Sequence, residues 1–186
     1  MHSLTPDESL LAEKLRLRLS WLSYRAFALC IERLLRFHGY TNIQVPSRFS
    51  FKGPHPVAGV DMVASEETGL GRVPVLVQLK QSRKDRNIAT LAVDAMRGVC
   101  LRYGFPRGVL ITTQTFSLEA REAVAAYPGR PIRLINGLEL GRLMLAARIG
   151  VLERQDLATG KATLVFDEES FALLEGLCQK IKKGGK

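Results

Sequence analysis

The sequence predicts an α/β fold in which a mixed β-sheet carries helices on both faces. The chain opens with helical patterns, continues with short strand-like segments, and then alternates helices with strands. An apolar run at 108–113 is typical of a buried strand. The 186 residues, 46% of them hydrophobic, are enough to bury a core without help from disulfides.

Two helices are expected in the first 39 residues. In Thr5-Pro6-Asp7-Glu8, a threonine cap, a proline at the first helical position and a glutamate three residues later can form a capping box. The first helix is therefore predicted over 6–22. Apolar residues recur at helical spacing from Phe27, and Gly39 can adopt the left-handed conformation that ends a helix. This second segment is either a separate helix or a bent continuation of the first.

Short extended segments are expected next. The first two are predicted at 41–45 and 48–52, before a loop at 53–56 that contains two prolines. Segments 57–64 and 73–80 are predicted to be paired strands joined by a turn at 66–71.

The second half of the chain alternates helices with strands. Helices are expected at 90–103, 117–127, 137–152 and 168–181, and strands at 108–113, 131–135 and 163–166. We interpret the whole chain as a single domain. It consists of an N-terminal helical extension at 1–22, a core at 23–154, and a C-terminal strand and helix segment with a basic tail at 155–186.

The charge balance favours a polyanionic partner. Lys and Arg number 27 against 18 Asp and Glu, a formal net charge of +9, which favours nucleic acid over an anionic membrane. The 3 cysteines are far apart and have no paired spacing, which fits a reducing cytosol. With no signal-peptide pattern or unbroken apolar span, a cytoplasmic chain without membrane contact is expected. Nucleotide-driven, hydride-transfer, acyl-transfer and zinc-protease classes lack their motifs.

Three polar residues on the predicted strand pair form a candidate site. Alternation along 73–80 places Gln78 and Lys80 on one face, and Asp61 lies in the preceding strand between apolar neighbours. If the strands pair, the three side chains converge. Carboxylate and amide oxygens suit Mg²⁺, and a nearby lysine can stabilise a phosphorus centre under attack. From spacing alone, a buried Asp61–Lys80 ion pair with Gln78 facing a helix is the simpler interpretation.

Four motifs carry a family resemblance. In chain order they are Gly59-Val60-Asp61-Met62, Val77-Gln78-Leu79-Lys80, the 108–113 strand followed by Phe116-Ser117, and Leu134-Ile135-Asn136-Gly137. Together with Leu34-Leu35 and Gly39-Tyr40 upstream, this ordered set resembles the Mrr-like restriction endonuclease domain. That domain belongs to the PD-(D/E)xK phosphodiesterase superfamily, here in the branch with Gln as the second ligand. The resemblance implies a restriction-endonuclease-like fold and a Mg²⁺-dependent endodeoxyribonuclease, with Mn²⁺ expected to substitute.

The resemblance also implies roles for individual residues. By position, Asp61 would be the main metal ligand and Gln78 a second ligand. Leu79 would be a ligand through its backbone carbonyl, and Lys80 would be the catalytic lysine. The family often adds a helix acid directly after the position of Phe27, where this chain has Ala28. Glu32 lies one turn later on nearly the same face and is expected to substitute for that catalytic acid. A solvated surface acid is an equal alternative.

Two further groups are expected to bind DNA. Arg83, Lys84 and Arg86 form a basic loop beyond Lys80 that can hold backbone phosphates, although a solvated loop fits equally well. Another group, Thr112, Thr113 and Ser117, ends a strand and opens a helix, which is a natural anion site. Capping alone would explain Ser117.

The expected function is a DNA endonuclease of restriction, mobile-element or defence type. DNA is the expected partner, and specificity can come from a partner subunit or from a homodimer. One alternative is a junction or repair nuclease of the same superfamily. A second is a catalytically silent DNA-binding subunit that retains the fold and the basic surface.

Overall fold

A computed structural model describes residues 4–45, 60–84, 86–129, 131–155, 157 and 160–183. The helices are α1 (Pro6–Trp21), α2 (Tyr24–Phe37), α3 (Thr90–Tyr103), α4 (Leu118–Ala125), α5 (Gly137–Ala146) and α6 (Glu168–Lys183). The strands are β1 (Tyr40–Gln44), β2 (Met62–Thr68), β3 (Gly71–Lys80), β4 (Asn87–Ile88), β5 (Arg107–Thr112), β6 (Thr115–Phe116), β7 (Ile132–Ile135), β8 (Val151–Gln155) and β9 (Ala162–Phe166). The segments expected at 48–52 and 53–56 lie outside the described residues.

The main sheet has five strands in the order β1-β2-β3-β5-β7. Strands β1, β2 and β3 pair antiparallel, whereas β3, β5 and β7 pair parallel. The parallel half follows from the helices α3 and α4, which carry the chain back to the same end of the sheet between successive strands. The predicted mixed α/β sheet is therefore confirmed.

Helices cover both faces of this sheet. One face contributes Val75, Val77 and Leu79 to a core shared with α1, α2, α5 and α6. The other face contributes Leu76 and Leu110 to a core shared with α3 and α4. Burial of each large apolar side chain stabilises the fold by about 1.5–3 kcal/mol. The two cores hold β3 at the centre of the molecule with alternate side chains on opposite faces.

Helix α1 starts as its sequence predicts. The Thr5 backbone N–H donates to Glu8 Oε2 at 2.8 Å, and the Glu8 N–H donates to Thr5 Oγ1 at 3.3 Å, which completes the capping box. The helix then packs closely on α5, because Gly141 leaves no side chain between its backbone and the Ala12 carbonyl. The end of α1 lies near the end of β3, because Gln81 Nε2 donates to the carbonyls of Leu19 and Leu22.

Helix α5 is shorter than predicted. A helix was expected over 137–152, but α5 ends at Ala146 and β8 begins at Val151. Between them, Arg148 and Gly150 have φ angles of +55° and +75°, which cannot continue a right-handed helix. The apolar residues after the turn enter a hairpin of β8 and β9 instead.

The turn between β2 and β3 and the start of α2 also differ from the prediction. The turn expected at 66–71 is confined to Gly69 and Leu70, since β2 continues to Thr68 and β3 begins at Gly71. Helix α2 begins at Tyr24, three residues before the expected start, because the Ser23 side chain accepts from Ala26 N at 3.3 Å and caps it. It is a separate helix rather than a continuation of α1.

Candidate active site

Asp61 lies where the β2–β3 hairpin opens. The register pairs Met62 with Val77, and the Asp61 N–H donates to the Val77 carbonyl at 3.1 Å. Backbone pairing therefore continues one residue beyond the regular part of β2. This antiparallel hairpin, predicted from the sequence, brings Asp61 beside Gln78 and Leu79.

The Asp61 carboxylate is oriented from two directions. Its Oδ2 accepts a hydrogen bond from the Leu79 backbone N–H at 2.7 Å. Its Oδ1 accepts one from the hydroxyl of Tyr24 on α2. Because each carboxylate oxygen has two lone pairs, both retain a free position for a further contact. The carboxylate is thus fixed in position without being saturated.

Tyr24 is a site residue that the sequence analysis missed. Its pKa is raised above the usual tyrosine value, chiefly because partial burial disfavours the phenolate, and then because of its hydrogen bond to Asp61 and that residue's charge. Its hydroxyl therefore remains a donor to Asp61. The signal that could have found it is Ser23, a good N-cap residue directly before it.

Gln78 carries an unsatisfied oxygen. The residue is 6% exposed, and its Oε1 is buried without a hydrogen-bond partner among the described residues. Leaving a buried acceptor unpaired costs about 1–3 kcal/mol, and such groups in folded proteins are rare. A structural glutamine facing a helix would instead have its oxygen bonded. Among the described residues, Gln78 Oε1 is therefore an acceptor that remains open to a ligand.

Lys80 follows Gln78 on the same face of β3, as alternation predicts. Its side chain is exposed, and it forms no ion pair with Asp61 or with any other acid in the described ranges. The buried Asp61–Lys80 ion pair is therefore not present. Lys80 is available to an anion from outside the protein.

These donors fit a divalent metal ion. The Asp61 carboxylate, the Gln78 amide oxygen and the Leu79 carbonyl are hard oxygen donors of the kind that Mg²⁺ prefers. No cluster of three or more His, Cys, Asp or Glu residues occurs in the described part of the chain. In these three residues the carboxylate of Asp61 is joined by uncharged oxygens, and the observation that favours a metal is that Gln78 Oε1 has no partner among the described residues.

Glu32 has a partner of its own. Its carboxylate pairs with Arg36 Nη2 at 2.9 Å, one turn along α2. Tyr24, the α2 residue that contacts Asp61, lies two turns earlier, about 12 Å along the helix axis at 1.5 Å per residue. The substitution of Glu32 for the family's helix acid stays a prediction.

The basic loop after β3 is anchored at both ends. Gln81 Nε2 donates to the Leu19 and Leu22 carbonyls at 2.6 and 2.9 Å, which ties the loop to the end of α1. Gln114 Nε2 donates to the Ser82 carbonyl at 2.7 Å. The side chains of the expected DNA-binding residues Arg83, Lys84 and Arg86 are all exposed. The loop thus presents cations on a supported backbone next to Lys80.

The hydroxyl groups expected at an anion site bond to the protein. Thr112 Oγ1 donates to the Lys80 carbonyl at 2.8 Å, and Thr113 Oγ1 donates to the Ser82 carbonyl at 3.2 Å, with both residues fully buried. Ser117 Oγ accepts from Ala120 N at 3.2 Å and caps α4. These contacts shape the loop, and direct DNA contacts by Thr112, Thr113 and Ser117 stay predictions.

The family model for the Mrr-type restriction endonuclease matches residues 19–144, so the chain belongs to that family. The match includes Tyr24, Asp61, Gln78 and Lys80, and it supports an endonuclease. No curated protein matches the chain. No helix among the described residues is long and apolar enough to cross a bilayer.

Solved structures share the fold. The MspJI restriction endonuclease in complex with a 27-mer oligonucleotide is 22% identical with a TM-score of 0.53, covering 77% of this chain and 32% of that one. The DNA modification-dependent restriction endonuclease AspBHI is 17% identical with a TM-score of 0.61, covering 96% and 41%. A protein of unknown function, AF1548, is 17% identical with a TM-score of 0.54, covering 87% and 94%.

At these identities the similarity shows the fold alone, which is restriction-endonuclease-like as the resemblance implied. The chain spans 32% of the length of MspJI and 41% of the length of AspBHI.

Proposed function

We propose that this chain is a divalent-metal-dependent DNA endonuclease of restriction, mobile-element or defence type that acts in the cytoplasm. The observation that carries the proposal is the buried Gln78 Oε1, which has no partner in the described part of the chain and belongs to the strand paired with the Asp61 segment, while two donors hold the Asp61 carboxylate in place. A purely structural polar cluster would satisfy its own buried oxygen. Membership of the restriction endonuclease family supplies the reaction class.

Asp61, Gln78 and the Leu79 carbonyl would hold the metal, with Mg²⁺ as the expected ion and Mn²⁺ as a substitute. When bound, such an ion supplies Lewis-acid activation of a water molecule and of the phosphate. Tyr24 and the Leu79 N–H keep the carboxylate turned toward that position. Their contribution is preorganisation, since the ligand need not reorient when substrate arrives.

Lys80 supplies positive charge for the phosphate. Hydrolysis forms a bond between water oxygen and phosphorus and breaks the bond to the leaving deoxyribose oxygen, while negative charge grows on the phosphoryl oxygens. An exposed lysine without an acidic partner can neutralise that charge. The water loses one proton and the leaving oxygen gains one, so the overall proton count is unchanged.

DNA would bind through its backbone at the loop beyond Lys80. Arg83, Lys84 and Arg86 are exposed there, and the whole chain carries a net charge of +9. Phosphate contacts of this kind give affinity without sequence preference. Sequence or structure selection would then come from a specificity subunit or from a second copy of the chain.

One observation favours a second candidate, a catalytically silent DNA-binding subunit. Ala28 occupies the place of the family's helix acid, and Glu32 is paired with Arg36. In that case the basic surface would bind DNA and no cleavage would follow. A junction or repair nuclease remains the alternative within the enzyme class.

Plasmid nicking tests the proposal. Supercoiled plasmid is incubated with Mg²⁺ or with a chelator, using the parent protein, Asp61→Ala and a control Asp94→Ala on α3. The parent and Asp94→Ala proteins should nick only with Mg²⁺, whereas Asp61→Ala should show barely detectable nicking and nearly unchanged DNA binding, since metal loss removes several kcal/mol of transition-state stabilisation. Equal nicking by a folded Asp61→Ala protein would refute the site, and no nicking by the parent would favour the silent subunit.

A further inference from the structure

Trp21 is an exposed aromatic residue close to the candidate active site. It ends α1, its side chain is 59% exposed, and the Arg83 guanidinium carbon lies 4.9 Å from its ring centroid. Trp21 is three residues from Tyr24, and Arg83 is three residues from Lys80. With at most about 3.8 Å between consecutive Cα atoms, both positions lie within about 11 Å of a site residue.

The backbone on both sides of Trp21 is held by hydrogen bonds. Gln81 Nε2 donates to the carbonyls of Leu19 and Leu22, which flank Trp21 in the chain. Since Gln81 directly follows Lys80, these two hydrogen bonds join the end of α1 to the end of β3. The backbone segment that carries Trp21 is thus joined to the segment that follows Lys80.

The surroundings of the ring suit a nucleotide. On the Arg83 side lie the exposed cations of the basic loop. Trp21 also lines a groove of about 500 Å³ together with Leu17, Phe166, Lys14, Arg18 and Glu168. Glu168, the acid of that set, pairs with Arg18 at 2.8 Å. An aromatic surface bordered by exposed cations is complementary to a base joined to phosphates.

We propose that Trp21 is a base-stacking residue that receives an unpaired nucleobase of the DNA substrate while Arg83 contacts a neighbouring phosphate. Bases inside a duplex are stacked on each other, so only an unpaired or extruded base offers a free face to the indole. This inference rests on the proposed nuclease function and narrows its substrate to DNA with unpaired bases beside the bond that is cut.

Trp21 provides its own probe, because it is the single tryptophan of the chain. Its fluorescence is followed in the presence of a chelator, so that no cleavage occurs, while single-stranded oligothymidylate is added. A backbone of the same length made only of abasic sites is the matched ligand, and its binding is followed by polarisation of a dye on its end. Oligothymidylate should quench the fluorescence, whereas the abasic backbone should bind without quenching.

Substitution completes the test. Trp21→Ala should weaken oligothymidylate binding by about 5- to 150-fold and leave abasic binding unchanged, and Trp21→Phe should retain most of the affinity. Unchanged abasic binding also shows that the variant is folded. Absence of quenching, or an equal loss for both ligands, would overturn the stacking role. Because the titration needs no cleavage, failure of plasmid nicking would refute the nuclease proposal separately.

Discussion

Two buried glutamines near the ends of neighbouring parallel strands have opposite environments. Gln114, just beyond β5, is 3% exposed, donates to the Ser82 carbonyl at 2.7 Å, and accepts from the Arg86 N–H at 3.3 Å. Gln78, on β3, is 6% exposed, and its Oε1 has no hydrogen-bond partner within the described ranges. The two residues have the same side chain and a similar degree of burial. They differ in whether a described donor forms a hydrogen bond to the side-chain oxygen.

We interpret this contrast as the difference between a glutamine that stabilises the fold and a glutamine that is open to a ligand. Gln114 holds both sides of the basic loop and stabilises the fold through its own hydrogen bonds. The Gln78 oxygen costs stability in the protein alone, which a ligand would offset. The buried Thr112 and Gln114 side chains on the β5 side are bonded within the protein, whereas Gln78 Oε1 on β3 has no partner among the described residues.

Among substitutions on β3, Lys80→Ala should cause the largest loss of cleavage. Removing the charge that faces the phosphate should lower the cleavage rate by about 100- to 1000-fold. The free energy of unfolding should change by less than about 0.5 kcal/mol, because the side chain is exposed and forms no ion pair with a described acid. Single-turnover cleavage and thermal unfolding measure the two quantities, with Lys180→Ala on α6 as the matched control. Equal cleavage by both variants would show that Lys80 takes no part in the reaction.

Replacing each glutamine by leucine should produce opposite effects. Gln114→Leu should lower the free energy of unfolding by about 2 kcal/mol, since it removes the acceptor of the Arg86 N–H and one of the two side-chain donors to the Ser82 carbonyl. Gln78→Leu should leave that free energy unchanged or raise it, because it removes an unpaired buried oxygen, while cleavage falls by about 100-fold. Denaturant unfolding and plasmid nicking of both variants measure these effects. A Gln78→Leu protein as destabilised as Gln114→Leu would mean that Gln78 is structural.

The hairpin that carries the site could be predicted because its information is local. Period-two alternation placed Gln78 and Lys80 on one face, and the short connection to β2 placed Asp61 opposite them. The capping box likewise predicted where α1 begins. In these segments, neighbours in sequence determine the geometry.

Features that depend on distant contacts could not be predicted in this way. Tyr24 on α2 forms a hydrogen bond with Asp61 beside β2. Gln81 forms one with the Leu19 carbonyl, 62 residues earlier in the chain. The early end of α5 depends on the left-handed backbone conformation of Arg148, which residues other than glycine seldom adopt. Whether Gln78 Oε1 has a partner among the described residues depends on tertiary packing and has no sequence signature.

The most direct test of the metal site is a crystal structure of the protein soaked with Mn²⁺, with anomalous scattering used to locate the ion. The account predicts one strong peak bonded to the Asp61 carboxylate and to Gln78 Oε1, at about 2.0–2.3 Å from each oxygen. The same peak should be absent from crystals of Asp61→Ala. Gln78 Oε1 bonded to a protein donor, with Mn²⁺ bound elsewhere or not at all, would contradict the central claim.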